Sequence, residues 1–337
     1  MGALRNTFEK MEPHFEKGGK YEKYYAIFEV FDTLFFQPKT TTVSDIHVRD
    51  GIDLKRVMIT VWLSVFPAMF FGMWNLGYQA NTAMLQLGIT EVANWHGVLI
   101  GLLGGGSYDP NSLWANFVHG AAYFLPIYIT TFAVGIFWEI LFATVRGHEV
   151  NEGFFVTSIL FALIMPPDIP LWQVAIGISF GVVLGKEVFG GTGKNFLNPA
   201  LTGRAFLYFA YPAQISGDQV WTAVDGFSGA TPLSIAAAEG HQALSETYGI
   251  SLGEAFLGTI QGCVGETSTV AILIGGAILL WTGIASWRIM AGVFLGMVAT
   301  TLLFNLTGSE SNPISAMPWY WHFAIGGFAF GLSLIHI

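Results

Sequence analysis

The segment FLPIYITTFAVGIFWEILFATV, residues 124–145, decides the fold, because it is long, apolar and carries a single charged side chain, Glu139. A helix of roughly 20 apolar residues spans the hydrocarbon core of a bilayer. Comparable apolar runs recur at Val57–Trp74, Leu171–Phe189, Val270–Trp287 and Ile289–Leu306. The sequence therefore predicts an all-α polytopic membrane protein, a transmembrane helical bundle.

Hydropathy and proline positions predict helices at 57–76, 117–145, 153–165, 171–189, 196–211, 268–287, 289–306 and 318–335. Two of them are short, because Pro166 and Pro212 end them after about two thirds of a bilayer thickness. Short helices build binding sites at the membrane midplane in transporter-like folds, or they tilt in a thin membrane. The segment 251–265 is expected to be a re-entrant or surface helix.

The chain divides into a polar, amphipathic tail over residues 1–54 and a transmembrane domain over 55–337. The tail has no apolar core of the kind that a signal peptide requires. Its aromatic residues predict a helix that lies on the membrane or on a partner protein. The apolar end at 332–337 lacks a polar flank, and we expect a truncated chain with an incomplete second half.

The distribution of lysine and arginine predicts the orientation in the membrane. The loops 78–116, 166–170, 211–266 and 306–318 contain neither residue, whereas nine of these residues precede the first predicted span. The four that follow other spans on the same side are Arg146, Lys186, Lys194 and Arg288. The N-terminus is therefore expected in the cytoplasm and the segment 211–266 outside. Arg204 is left over, inside a predicted helix.

The stretch DGFSGAT, residues 225–231, lies in the predicted outer segment and offers unusual chemistry. Glycine lets a backbone approach a bulky ligand closely. Backbone N–H groups and Ser228 can cradle a phosphate, and the Thr231 hydroxyl can form a phosphoester. Asp225 would orient the loop or bind a metal that assists such a transfer. Taken alone, the stretch is also compatible with an ordinary polar turn.

Other polar residues have a functional and a structural interpretation. The amides of Asn195 and Asn198, three residues apart, suit the nitrogen and oxygen edge of a flavin ring, yet Asn198 before Pro199 is also an ordinary helix cap. Glu139 is a candidate for binding Na⁺, because a carboxylate inside an apolar helix is unfavourable unless a cation is near. Alternatively, Glu139 reaches the cytoplasmic interface near Arg146.

Two chemistries are excluded by the sequence. The segment Gly190–Asn195 is not a phosphate-binding P-loop, because Val188 and Asn195 stand where that motif needs glycine and serine or threonine. NADH is therefore expected to bind another protein of the same complex. Cys263 is the only cysteine, so a disulfide or a cysteine-ligated iron–sulfur cluster cannot form within this chain.

Long stretches of the chain resemble the NqrB/RnfD family of membrane flavoproteins. The matching stretches are His14–Lys20, His47–Asp50, Asp53–Arg56, His148–Ser158, Lys186–Gly193, Asn195–Pro199, Tyr211–Asp218 and Asp225–Thr231. The resemblance implies a bundle of about ten spans, about eight of them here, built as two inverted halves like urea transporters. It implies a membrane component of a six-subunit, Na⁺-pumping NADH:ubiquinone oxidoreductase in the bacterial inner membrane. No nucleic-acid partner is expected.

The resemblance also assigns cofactors and sites. It implies FMN bound covalently to Thr231, with Asp225, Gly226, Ser228, Gly229 and Ala230 around it. It implies a non-covalent riboflavin at Asn195 and Asn198, a ubiquinone site at Glu29, Gly135 and Phe155, and a Na⁺ pathway at Glu139. Electrons would pass from FMN through riboflavin to ubiquinone while Na⁺ is exported, with membrane lipid around the bundle.

Two departures and three rival interpretations accompany the resemblance. Ile136 stands where the family often has glycine, which affects the quinone site, and the chain departs from the family pattern after Gly331. The rival functions are the RnfD component of an Rnf-type ferredoxin:NAD⁺ oxidoreductase, a cofactor-free channel of the urea-transporter type, and a membrane scaffold. The aromatic tail favours the quinone-reducing complex, and a bound flavin would exclude the channel.

Overall fold

The structure is a computed structural model that describes residues 2–15, 18–22, 25, 28, 54–147, 150, 153–216, 221–224, 227–309 and 312–332. Within these ranges, the helical stretches long and apolar enough to cross a membrane are Arg56–Leu87, Leu113–Arg146, Leu171–Phe189 and Trp287–Thr307. Shorter apolar helices cover Gly153–Leu163 and Thr269–Trp281. The prediction of an all-α polytopic membrane protein is confirmed.

The first part of the chain is helical. Its elements are α1 (Gly2–Phe15), α2 (Leu54–Ser64), α3 (Phe66–Leu87), α4 (Trp95–Leu102), α5 (Leu113–Arg146), α6 (Gly153–Leu163), α7 (Leu171–Gly185), α8 (Pro199–Ala210) and the single turn α9 (Pro212–Ile215). A 3₁₀ turn at Glu187–Phe189 follows α7. The prediction of a helix at 57–76 was too short, because the helical stretch continues to Leu87 and ends at Gly88.

The second part begins with a small antiparallel hairpin, β1 (Trp221–Val224) and β2 (Phe227–Gly229), in which Trp221 pairs with Gly229. The elements that follow are α10 (Pro232–Glu239), α11 (His241–Glu246), α12 (Leu252–Leu257), α13 (Thr269–Trp281), α14 (Trp287–Thr307), a 3₁₀ turn (Pro313–Ala316), α15 (Trp319–Ala324) and α16 (Phe328–Phe330). Val224 of the hairpin is buried against α3.

Local sequence signals set the ends of the long helix α5. The Ser112 side chain accepts a hydrogen bond from the Ala115 N–H group and caps the N-terminus. Gly147 ends the helix in the left-handed conformation with φ of 70°, which glycine adopts without a side-chain clash. These caps set the ends of the helix that carries Gly135 and Glu139.

Small residues let the long helices pack backbone against backbone. A Cβ atom on Gly120 of α5 would collide with the carbonyl oxygen of Met73 in α3, and one on Gly77 would collide with that of Asn116. The same close approach joins α7 and α8 at Gly181. Such contacts are typical of membrane helices, where association depends on close packing rather than on the hydrophobic effect.

Two segments without helical structure meet inside the bundle: the residues just after α6 and the residues between α12 and α13. Gly265 donates its N–H to the carbonyl of Leu163 at 2.9 Å. The side chain of Asn75 in α3 donates to the carbonyl of Ile260 at 2.9 Å, and Gln79 donates to that of Thr259 at 3.0 Å. These hydrogen bonds satisfy backbone groups that have no helical partner.

The predicted single helix over 318–335 is wrong. Helix α15 ends at Ala324, and Ile325 is extended with φ of −116° and ψ of 149°. Gly326 has a positive φ of 74° before α16 begins. The Gly326-Gly327 pair interrupts an apolar run whose hydropathy alone indicates one continuous span. Helix α12 is a short surface helix, as one of the two alternatives for 251–265 predicted.

Candidate functional site

Thr231 stands at the N-terminus of α10. Its backbone is extended, with φ of −70° and ψ of 152°, and its Oγ1 accepts a hydrogen bond from the Ser234 N–H at 3.3 Å. Pro232 occupies the first helical position, where its fixed φ favours helix initiation. The N–H groups of a first helical turn and the helix dipole favour an anion. A phosphate on the Thr231 oxygen would therefore lie in a favourable field.

The residues before Thr231 bring the chain to this position through the hairpin. A Cβ atom on Gly229 would meet the side-chain oxygen of Gln261, so a larger residue there would require the Gln261 amide to move. Ala230 packs against a small apolar cluster that includes Ile235 of α10. The backbone of Ser228 belongs to β2, whereas Asp225 and Gly226 lie outside the described residues.

A cavity of about 690 Å³ opens beside Thr231. This volume lies in the range of 300–1,000 Å³ that is typical of cofactor pockets. Its wall is formed by α8, by the irregular segment before α13, by α10 and by the break between α15 and α16. The polar side chains on that wall, besides Thr231, are Arg204, Tyr208, Ser216, Ser234, Gln261, Cys263, Glu266 and Thr267.

Arg204 brings a partly buried positive charge to the cavity wall. Its Nη1 lies 3.8 Å from the Cys263 Sγ, a weak acceptor, and Glu266 is near enough to attract it electrostatically. Among the residues that the structure describes, no carboxylate oxygen lies within 4.0 Å of its guanidinium nitrogens. Most of its five N–H donors are therefore available to a ligand.

Thr267 lines the same wall, but its hydroxyl oxygen is buried and has almost no accessible surface in the cavity. The residue is 2% exposed, and its Oγ1 has no hydrogen-bond partner in the described part of the chain. A buried hydroxyl without a partner is unfavourable by about 1–3 kcal/mol. The N–H donors of Arg204 make the cavity complementary to a ligand with oxygen or nitrogen acceptors. The open donors of Arg204 and the volume both fit a flavin mononucleotide attached at Thr231.

Glu139 lies in a different environment, a cluster of buried ion pairs where α5 meets the turn after α7. Its carboxylate contacts the Lys186 ammonium, which also lies 3.7 Å from Glu187. Arg146 binds Glu187 at 2.7 Å from the partly exposed side of the cluster. Glu139, Lys186 and Glu187 are 4%, 3% and 2% exposed. The nearby cation is the condition under which a buried carboxylate stays ionised.

The two asparagines predicted to bind riboflavin lie at the beginning of α8. Asn198 caps this helix, because its Oδ1 accepts hydrogen bonds from Ala200 and Leu201 at 2.9 and 3.2 Å. Asn195 donates to the carbonyl of Leu197 at 2.7 Å. Both amides are partly exposed, so these local hydrogen bonds leave their role toward a flavin a prediction.

Two of the residues predicted for the quinone site, Gly135 on α5 and Phe155 on α6, belong to consecutive helices. A Cβ atom on Gly135 would collide with the ring of Phe154, whose neighbour Phe155 lies near Phe132 with ring centroids 5.7 Å apart. Gly135 lies one helical turn before Glu139 on α5. Glu29 lies outside the described residues, so its place in this site stays a prediction.

Three residues of these sites were not found from sequence motifs. Arg204 carried a signal, because it was the one basic residue that the orientation pattern did not explain. Lys186 looked like an ordinary cytoplasmic flank, and its pairing with Glu139 links residues 47 apart. Thr267 carried no signal, since only tertiary structure shows that this residue lines a cavity and that its buried hydroxyl has no partner among the described residues.

The fold and the two sites define an all-α, multi-pass membrane protein with a cofactor-sized cavity built around a helix-capping threonine. Comparison with known families agrees with the resemblance. The profile of the NQR2, RnfD, RnfE family matches residues 41–336. The chain belongs to this family.

Several relatives are similar over nearly the whole chain, and each is named as the B component of a Na⁺-translocating NADH-quinone reductase. The protein of Chromohalobacter salexigens is 67% identical over 98% of this chain and 79% of its own length. The protein of Ectopseudomonas mendocina is 66% identical, with 98% and 82% covered. The protein of Pseudomonas aeruginosa is 65% identical with the same coverage. The predicted resemblance is confirmed.

Proposed function

We propose that this chain is the membrane electron-transfer subunit of a Na⁺-translocating NADH-quinone reductase and that it carries FMN as a phosphoester on Thr231. The chain corresponds to one component of an oxidoreductase complex, as the names of its relatives indicate. One observation carries the attachment site. Thr231 is both the cap of α10 and part of the wall of a 690 Å³ cavity that holds unmatched donors.

The residues around Thr231 have separate tasks in this proposal. The first turn of α10 directs its N–H groups and its dipole toward the esterified phosphate. The cavity walls provide room for the ring, and Gly229 lets the tether pass close to the Gln261 amide. When bound, the flavin supplies one- and two-electron redox chemistry that no amino-acid side chain on the described cavity wall provides.

The other proposed sites, for riboflavin, ubiquinone and Na⁺, lie along α8 and α5. Asn198 at the start of α8 belongs to the proposed riboflavin site, and Arg204 lines the FMN cavity six residues later, a rise of about 9 Å. Gly135 and Phe155 form part of the proposed ubiquinone site with Glu29. Glu139 serves the Na⁺ pathway, for which its ion pair with Lys186 must open.

The proposed orientation puts the N-terminus in the cytoplasm and Thr231 on the periplasmic side of a bacterial inner membrane. The gathering of Arg146 and Lys186 at one end of the bundle supports it, because basic residues concentrate on the cytoplasmic side. In this arrangement Thr231 would hold the FMN on the side from which another subunit could supply electrons, and NADH would be oxidised outside this chain.

A second candidate function follows from the family profile, which also includes RnfD and RnfE. An Rnf-type protein would share the flavin threonine but would not deliver electrons to ubiquinone. Relatives with 64–67% identity are named as the B component of the quinone reductase, which favours the first function. A purified complex that reduces ubiquinone with NADH and depends on Na⁺ would support it.

The attachment is tested by intact-mass measurement and in-gel fluorescence of the chain, produced in a host that supplies the flavin transferase. The wild type is expected to gain the mass of FMN minus water, and Thr231→Ala is expected to lose both the mass and the fluorescence. Thr247→Ala is the matched control, because this threonine is exposed in the same outer segment and is expected to keep the flavin. An unmodified wild type beside an active transferase would refute the proposal.

A further inference from the structure

We propose that Asn75 and Gln79 of α3 are positioning residues for the flavin, because they hold the part of the cavity wall against which an FMN on Thr231 would lie. The inference rests on the proposed attachment of FMN to Thr231. Asn75 and Gln79 do not line the cavity themselves. They act through the non-helical residues 259–264, the wall segment, which follow α12.

The wall segment lies along one face of α3. Gly72, Asn75 and Gln79 follow one another at spacings of three and four residues, which places them on the same side of a helix. A Cβ atom on Gly72 would collide with the carbonyl oxygen of Val264, so the two backbones touch at the end of the wall segment. From Gly72 to Gln79 this face of α3 is about 10 Å long.

The two amides hold the other end of the wall segment through two consecutive carbonyl groups. Asn75 Nδ2 donates to the Ile260 carbonyl at 2.9 Å, and Gln79 Nε2 donates to the Thr259 carbonyl at 3.0 Å. The wall segment has no helical hydrogen bonds to satisfy these carbonyls, so they depend on side-chain donors. Asn75 is 1% exposed, and its own oxygen has no hydrogen-bond partner among the described residues. Within this part of the chain, the buried amide serves the wall segment alone.

The wall segment in turn contacts the site of the flavin in two ways. Its residues 260–263 line the cavity beside Thr231. The Gln261 side chain also lies so close to Gly229 that a Cβ atom there would meet its oxygen, and Gly229 is two residues before Thr231. A shift of the wall segment would therefore change both the space for the ring and the surroundings of its tether.

Asn81, six residues after Asn75 on the same helix, provides a matched comparison. It is also buried, but its amide nitrogen donates to Asn116 at 2.8 Å and its oxygen lies 2.8 Å from His119 Nδ1. Both partners belong to α5. The printed hydrogen bonds of Asn81 thus join two long helices, whereas those of Asn75 and Gln79 join a helix to the wall of the cavity.

The experiment compares variants in the purified complex, produced in a host that supplies the flavin transferase. Hydrogen–deuterium exchange of a peptide that covers residues 258–266 reports on the wall segment, and visible circular dichroism per attached flavin reports on how firmly the ring is held. Asn75→Leu is expected to speed exchange about tenfold, the size typical of a buried carbonyl that loses its donor, and to weaken the flavin signal. Gln79→Met is expected to speed exchange about threefold, because Gln79 is half-buried.

Asn81→Leu is the control, and it is expected to lower the Tm while the exchange of residues 258–266 and the flavin signal stay as in the wild type. Unchanged exchange in both Asn75→Leu and Gln79→Met would overturn the inference. So would faster exchange with an unchanged flavin signal, or equal changes in Asn75→Leu and Asn81→Leu, which would indicate general loosening of the bundle. If Asn75→Leu does not fold, Gln79→Met decides by the same criteria. A wild type without flavin is a different result, which overturns the proposed function itself.

Discussion

The ion-pair cluster around Glu139 and the cavity beside Thr231 differ in whether their charged side chains have close partners of opposite charge. In the cluster, Glu139 and Glu187 face Lys186 and Arg146, so that two negative charges meet two positive charges. In the cavity, Arg204 lies beyond 4.0 Å of the carboxylates that the structure describes, and the Thr267 hydroxyl has no partner among the same residues.

This contrast separates a closed polar site from an open one. A closed cluster satisfies its own buried groups, and its removal or rupture affects folding first. An open site keeps donors that only a ligand can satisfy, and its residues affect binding first. Glu139 was a functional candidate from sequence because it is an acid in an apolar helix, yet the structure gives it a partner. Arg204 has the weaker protein contacts of the two.

The largest expected effect comes from breaking the closed cluster. Lys186→Met leaves Glu139 buried without its cation and is expected to lower the free energy of unfolding by about 3–5 kcal/mol. The double variant Glu139→Gln with Lys186→Met removes both charges and is expected to recover most of that loss. Thermal unfolding of the detergent-solubilised proteins measures both. Equal stability of Lys186→Met and the wild type would show that the cluster is not closed.

A smaller effect is expected from the open site when it holds no flavin. In a Thr231→Ala background, Arg204→Met is expected to change the free energy of unfolding by about 1 kcal/mol or less, because the arginine is partly exposed and has no close ion pair with a described residue. The same unfolding assay checks this value. A loss as large as that of Lys186→Met would mean that Arg204 is a structural residue, and the contrast between the two regions would fail.

The smallest expected effect on stability comes from an exposed carboxylate, Glu254. It shows how little a hydrogen-bonded charge contributes when it is not buried. Ser251 and Glu254 form a capping box at α12, in which Ser251 N–H donates to Glu254 Oε2 at 2.9 Å. Hydrogen bonds from the Ser251 backbone and side chain lower the pKa of Glu254. The carboxylate therefore stabilises α12 fully above its unfolded-state pKa, and this contribution is lost as the pH falls through the lower, folded-state value.

We expect Glu254→Gln to weaken α12 by a few tenths of a kcal/mol at neutral pH, the size typical of exposed ionic contacts. The difference from wild type is expected to vanish in acid, where Glu254 is protonated in both the folded and unfolded states. Hydrogen–deuterium exchange of a peptide that covers residues 248–258, compared between the two proteins at each pH, measures it. Protection that differs most in acid would contradict the sign.

Sequence patterns predicted the long helices well, because an apolar run of bilayer length has few alternatives. The helix at 117–145 corresponds to Leu113–Arg146, and the one at 289–306 corresponds to Trp287–Thr307. The prediction of one helix at 318–335 was wrong for a local reason, because the Gly326-Gly327 pair breaks the helix even though the segment is apolar throughout. The helices α10 and α11 were not predicted, because they are too short to show a clear period.

For the candidate site beside Thr231, the sequence predicted the central residue but not its neighbours. The motif led to Thr231, and the Thr-Pro pair at 231–232 is in addition a signal for the start of a helix. The partners of the site were not predictable, because Arg204, Cys263 and Thr267 are brought together by tertiary packing. A sequence indicates which residue is unusual for its surroundings, and only the fold shows whether that residue has a partner.

The hydrogen bond from Asn75 to the Ile260 carbonyl also bears on the order in which this protein is made. The two residues are 185 positions apart. At a synthesis rate of about 5–20 residues per second, the Asn75 amide waits roughly 10–40 s for its partner after its own helix has been made. The wall of the Thr231 cavity also combines residues made at different times, from Ile164 to Phe330. During biogenesis the early helices are made before the cavity is complete, so a flavin that needs this cavity would be attached late.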